Sequence, residues 1–133
     1  MDRFYLDTSI LLDIAESRGE NGKGSVQMME KIIKMGATII FSDLHFMELS
    51  KLGYSVEEIY RLFRIVKPAN VRRVHLNRRM VLAAKNVAKK RQVPFGDALH
   101  AVLSRDAEAI LISRDRHFQK LKDISECKRP EDV

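Results

Sequence analysis

Cysteine is almost missing from this 133-residue chain: Cys127 stands alone, so no internal disulfide can form. With no Cys/His grouping beside it, it offers no zinc arrangement and reads as a small buried apolar residue. Tryptophan is absent and aromatics make up only 7% of the residues, so no dedicated base-stacking platform is expected. Unbroken apolar stretches are short, as in Ala109–Ile112, whereas a bilayer span needs about 18 to 20 residues, which argues against any membrane association. The first residues, Met1–Asp7, set acids on both sides of a brief apolar run, unlike the long apolar centre of a signal peptide. A cytoplasmic location is the expectation. Repeats, low-complexity tracts and an internal linker are also lacking.

What is present suits one solvated globule: 45% apolar and 32% charged residues in 15.3 kDa, the size of a single domain covering residues 1–133. Net charge is +6, with 24 Lys and Arg against 18 Asp and Glu, which adds weight to a polyanionic partner.

Along the chain, short apolar β-branched runs alternate with helical periodicity. Arg3–Asp7 reads as a buried strand with Asp7 at its end, followed by a helix from Ile10 to Ala15 and a loop over Arg18–Gly24. A second helix is expected from about Ser25, with Val26, Met29, Ile32 and Ile33 inward, Met28 and Met29 as core filler, and Gly36 as its stop. Ala37–Phe41 reads as a central strand, with Ser42 or Asp43 capping a helix on which Leu44, Met47 and Leu49 face inward and Glu48 lies one turn in. Ser55–Glu58 forms a capping box for a helix with Ile59, Leu62, Phe63 and Val66 as its apolar stripe, closed by Pro68. Val71–Leu76 alternates like a strand nearer an edge. Met80, Val81, Ala84, Val87 and Ala88 then define a helix whose other face carries Arg78, Arg79, Lys85, Lys89, Lys90 and Arg91, either a solvated face or a track for an RNA backbone. A further helix begins near Asp97, with Ala98, Ala101 and Val102 closely packed. Ala109–Ile112 is the fourth strand, Arg116–Leu121 a short helix, and Ile124–Cys127 a candidate fifth strand. The alternation predicts one α/β domain with a central parallel sheet of four to five strands between helices.

In such sheets chemistry gathers at the carboxyl ends of the strands. Asp7 and Asp115 end strands, Asp97 opens a helix, and Glu48 sits on the helix leaving the second strand. Singly, Asp97 could be a helix cap and Asp7 or Asp115 a turn former. Together, four carboxylates make a hard-cation site of the Mg²⁺ kind, suited to phosphodiester hydrolysis.

Phe4–Leu12, Phe46–Leu49, Pro94–Ala101 and Leu111–Phe118, in this order and spacing, resemble the PIN domain, a nuclease family rich in the toxins of VapBC toxin–antitoxin pairs. The resemblance implies a parallel sheet between helices and a Mg²⁺- or Mn²⁺-dependent endoribonuclease acting on RNA, with an antitoxin protein and a homodimer as possible partners. It matches Asp7, Glu48, Asp97 and Asp115 to the acids that hold metal directly or through water, and Ser113 to the hydroxyl supporting that site. Thr8 and Ser9 follow as secondary candidates. Asp2, Asp13 and Asp43 are additional acids near these motifs, while His100 and His117 are set outside the metal ligands. Apolar residues on helices 25–35 and 56–66 exceed what one small sheet face needs and suggest the dimer surface. Arg114 and Arg116 are placed either for substrate phosphate or for pairing with the acids of the site.

Other readings fit less well. A haloacid-dehalogenase phosphatase needs an Asp where Ser9 stands. A response-regulator receiver needs a late Lys where this chain supplies Asp115. The remaining rival is a PIN-like module that engages RNA or protein without cutting it.

Overall fold

The computed structural model describes residues 2–64 and 70–133. Five parallel strands, β1 (Arg3–Leu6), β2 (Thr38–Ser42), β3 (Val71–Val74), β4 (Ile110–Ile112) and β5 (Cys127–Lys128), form one sheet in the order β3-β2-β1-β4-β5. The helices are α1 (Thr8–Ala15), α2 (Gly19–Met35), α3 (Asp43–Lys51), α4 (Val56–Phe63), α5 (Arg78–Arg91) and α6 (Phe95–Asp106). Two 3₁₀ turns, Arg116–Leu121 and Pro130–Asp132, complete the chain.

The period of two along the central strands gives the sheet two apolar faces, as a buried parallel sheet requires. Phe4, Leu6, Ile39, Phe41 and Ile112 pack with Ile10, Met29, Ile32, Ile59 and Phe63 from α1, α2 and α4. On the other face Tyr5, Ile40 and Leu111 meet Ala84, Ala98, Ala101, Val102 and Phe118. Alanines on α6 let that helix lie close to the sheet. β3, at the sheet edge, has a half-buried and exposed pattern, in keeping with its alternation. Among the described residues no helix is long and apolar enough to cross a membrane.

Several local expectations change. Arg18–Gly24 is not a loop, because α2 begins at Gly19 and runs through the glycines. Gly22 explains this: a Cβ there would stand 2.9 Å from the Asp13 carbonyl oxygen, so the missing side chain lets α2 pack on the end of α1. The buried side of α2 is Ser25, Met28, Met29 and Ile32, leaving Val26 and Ile33 exposed. Met47 is 50% exposed rather than inward, while Leu44 and Leu49 are buried. α1 starts two residues early at Thr8, α6 starts at Phe95, and β5 is only Cys127–Lys128, because Ile124 and Ser125 are held in a turn by bonds to the Leu121 carbonyl. Cys127 is half-buried and donates to Ser125 O, and burial pushes its thiol up to about 11. Gly36, with φ of 65°, ends α2, and the Ser55–Glu58 capping box is present. Val66 and Pro68 lie outside the described residues.

Strand order departs in opposite directions from β1, toward β2 and β3 on one side and toward β4 and β5 on the other. The carboxyl ends of β1 and β4 therefore flank the switch point, where such folds bind ligands.

Candidate active site

Asp7 follows β1 at this switch point and caps α1: Oδ1 accepts from Ile10 N at 3.0 Å and from Ser9 Oγ at 2.7 Å. Its Oδ2 accepts a hydrogen bond from Ser113 Oγ, beyond the end of β4, and Ser113 Oγ accepts from Asp115 N at 3.0 Å. One serine thus ties the ends of two neighbouring strands together. Asp7 is only 5% exposed, and burial raises its carboxyl above the ordinary range although the Ser113 and Ser9 hydroxyls work against this.

Asp97 is the third residue of α6, whose N-cap is Pro94, and its side chain caps nothing. It turns toward Asp115, which opens the 3₁₀ turn and accepts from His117 N at 2.9 Å. One ligand-type atom from each of Asp97, Asp115 and His117 lies within 4.8 Å of the others. Burial and then the Asp115 charge push the Asp97 carboxyl up to about 6.

His117 Nδ1 stands 3.1 Å from Asp97 Oδ2 and 2.9 Å from Asp115 Oδ1. Neither approach has hydrogen-bond alignment, so Asp97 Oδ2 and His117 Nδ1 are buried polar atoms without a hydrogen-bond partner among the described residues. Two unfilled ligand atoms, Asp97 Oδ2 and His117 Nδ1, converging beside the Asp115 carboxylate fit a divalent cation.

Glu48 reaches the same edge from α3. Its Oε1 accepts from Thr8 Oγ1 at 2.7 Å and lies 2.6 Å from His100 Nε2, while a Cβ at Gly96 would meet Oε2 at 3.5 Å. Burial alone would raise its carboxyl, but the His100 and Thr8 contacts outweigh that and hold it below the ordinary range. An ionised carboxylate only accepts, so Nε2 of His100 carries the hydrogen. On the other side of the ring Nδ1 lies 2.6 Å from the Tyr5 hydroxyl, which is itself 2.9 Å from Ser42 Oγ. Behind this line His45 accepts from Ser42 N at 2.9 Å and donates from Nε2 to Leu6 O at 2.5 Å. Burial drives the His45 ring down to about 3, which keeps it neutral.

The structure thus gathers Asp97, Asp115 and His117 in one cluster, links Asp7 to it through Ser113, and sets Glu48 on a separate line through His100. Asp43 is engaged by Arg73, His75 and Leu76 N at the β3 edge, and Asp13 by Arg18 and Arg114. Arg114 turns to Glu131, the Asn21 carbonyl and Ser25, away from the acids of the site.

The PIN domain family model matches residues 4–124. The chain belongs to the PIN domain family. Solved structures with this PIN fold include VapBC2 from Rickettsia felis bound to a promoter DNA fragment, with a TM-score of 0.69 and 13% identity over 96% of this chain and 98% of that one. A toxin–antitoxin complex from Klebsiella pneumoniae gives 0.67 and 15% over 95% and 96%, and VapBC-1 from nontypeable Haemophilus influenzae gives 0.62 and 18% over 96% and 98%. At such identities they show the fold. No match is found among curated protein sequences.

In this PIN domain His100 and His117 are the side chains that sequence reading set aside. Only His100, three residues after Asp97 on α6, stands at helical spacing; His117 is two after Asp115. Neither spacing reveals that one ring meets Glu48 and the other the Asp97–Asp115 pair.

Proposed function

We propose that this PIN domain is a Mg²⁺- or Mn²⁺-dependent endoribonuclease that hydrolyses RNA phosphodiester bonds in the cytoplasm as the toxin of a toxin–antitoxin pair. The observation carrying this reading is the meeting of Asp97 and Asp115, with Asp97 Oδ2 lacking a hydrogen-bond partner among the described residues, beside the Asp7–Ser113 link at the sheet's switch point. Asp97 and Asp115 would hold the cation, with Asp7 and Glu48 contributing directly or through water. A cation held there would supply Lewis-acid chemistry, polarising a phosphoryl oxygen and lowering the pKa of water toward neutrality. Ser113 keeps Asp7 and the Asp115 backbone in fixed relation, and Thr8 with His100 occupies Glu48 Oε1, leaving Oε2 to orient water. A nucleophilic side chain is not required.

The solved toxin–antitoxin complexes of like fold support a protein antitoxin as partner. Val26, Ile33 and Met35 on α2 and Val56 and Tyr60 on α4 are exposed apolar residues that suit a homodimer, and light scattering should return twice the chain mass. The test of activity is incubation of defined RNAs with protein, Mn²⁺ or Mg²⁺, and chelator. Cleavage should need the cation and vanish in Asp97→Asn; equal cleavage in excess chelator would remove the metal mechanism.

A further inference from the structure

Beyond Asp115 the chain builds a groove of about 400 Å³ between the 3₁₀ turn and the end of β5, and Ser113 and Asp115 form one of its walls. The other walls carry Arg116, Lys122, Lys128 and Arg129. Its position is set by the sheet: Ser113 N donates to Lys128 O at 3.0 Å, so the β5 exit lies directly beside the serine that touches Asp7.

Several arginines elsewhere, and Arg114 on the groove's own wall, are engaged by carboxylates. Arg73 pairs with Asp43, Arg91 with Asp123, Arg18 with Asp13 and Glu16, and Arg114 with Glu131. In contrast, Arg116, Lys122 and Lys128 have no carboxylate partner among the described residues, and Arg129 only approaches Glu131 at 4.0 Å. Arg116, Lys122 and Arg129 are exposed and Lys128 is half-buried. Against these cations the groove sets only Asp132 besides the site's own Asp115. Unpaired cations concentrated in a concave path that ends at carboxylates are complementary to a chain of phosphates, each of which releases counterions when neutralised. The scarcity of aromatic side chains fits backbone tracking rather than base stacking.

We propose that this groove binds the ribose–phosphate backbone of single-stranded RNA flanking the scissile bond, with Lys122, Lys128, Arg116 and Arg129 as its phosphate contacts. The assignment rests on the nuclease reading for the role of the neighbouring carboxylates, but the binding itself needs no cleavage. It also distinguishes the groove from the basic face of α5. Arg79 lies beside Arg105 and Asp106 at the far end of α6, about 13 Å along the helix axis from Asp97 at 1.5 Å per residue.

The experiment is fluorescence anisotropy of a labelled single-stranded oligoribonucleotide with the full chain, in excess chelator and over a series of salt concentrations. Reversing two groove charges, Lys122→Glu with Lys128→Glu, should weaken binding about tenfold or more. It should also flatten the dependence of log K on log salt by about 1.4, two phosphates at about 0.7 each for a single strand. Arg78→Glu with Arg79→Glu should change affinity less than about threefold. Lys122→Gln with Lys128→Gln, a milder change confirmed as folded by circular dichroism, should give a smaller loss in the same direction. Wild-type affinity in both groove variants, or an equal loss in the α5 variant, would overturn the proposal. So would a groove variant that loses binding to polyglutamate but retains RNA, since the surface would then serve an acidic protein. Groove-dependent RNA binding without metal-dependent cleavage would sink the nuclease reading alone. Cleavage that persists unchanged in the groove variants would sink the groove alone.

Discussion

His100 Nε2 lies 2.6 Å from Glu48 Oε1, joining the middle of α6 to the middle of α3 across 52 residues of sequence. The ring is itself held from behind by the Tyr5 hydroxyl at 2.6 Å, so the aim of Glu48 depends on a tyrosine buried in β1. Tyr5→Phe keeps the ring volume but strands His100 Nδ1, while Ser42 Oγ retains His45 Nδ1 at 3.2 Å. It should cost about 1–3 kcal/mol, the usual penalty for buried groups left unpaired, as measured by urea unfolding. Wild-type stability in that variant would mean that the hydroxyl line contributes nothing.

Asp97 and Asp115 repel each other in the metal-free protein, and Asp97 gains nothing from capping because Pro94 holds the cap position. Asp97→Asn should therefore raise the melting temperature of chelator-treated protein by about 2–5 °C, on the scale of a relief near 1 kcal/mol. It should also shrink the further rise produced by Mn²⁺. Thermal melts of both proteins with and without metal check this. An undiminished metal-induced rise in the variant would remove Asp97 from the ligands.

His45 sets a pH dependence whose sign follows from its burial. The folded-state ring titrates at about 3 and the unfolded one at about 6.5, so below pH 6.5 the unfolded chain binds a proton that the folded chain refuses. Its stabilising share is complete above about pH 6.5 and is lost, at about 1.4 kcal/mol per pH unit, as pH falls toward 3. Asp7 and Asp97, whose raised carboxyls act in the opposite sense, are common to wild type and variant and drop out of a comparison. His45→Gln should be less stable than wild type at pH 7, with the gap narrowing steadily toward pH 4 in urea titrations. Parallel curves would contradict a neutral buried ring.

Gly22 and Gly24 should respond differently to alanine although both lie inside α2, where alanine gains about 1 kcal/mol of helix propensity over glycine. At Gly22 the added methyl meets the Asp13 carbonyl oxygen at 2.9 Å and the Ser17 backbone at 3.2 Å, which cannot move without separating α1 from α2. At Gly24 it meets the ends of the Arg114 and Glu131 side chains, which can swing aside. Gly22→Ala should destabilise by about 1–3 kcal/mol, the range for overpacking, and Gly24→Ala should lie near neutral. Equal effects in denaturant melts would show that contact with α1 does not limit α2.

The sequence by itself determined the α/β alternation, the parallel sheet, the edge position of β3 and the placing of Asp7 and Asp115 at strand ends. Each of these follows from local periodicity and from which residues can stop a strand or start a helix. It also determined the resemblance to the PIN domain, because motif order and spacing survive in the chain itself. Tertiary structure decided the rest. Glycine at 22 is a loop signal locally, yet here it is the gap into which the end of α1 fits, so the helix runs through it. Met47 and Val26 satisfy a helical stripe but face outward, because the sheet covers only part of each helix. The two histidines carry no mark of their roles in the sequence. His100 meets Glu48 and His117 meets Asp97 only because β1 and β4 are neighbours and bring α3, α6 and the 3₁₀ turn to one edge. Hydrogen-bond partners separated by tens of residues depend on strand order, which local propensity does not encode.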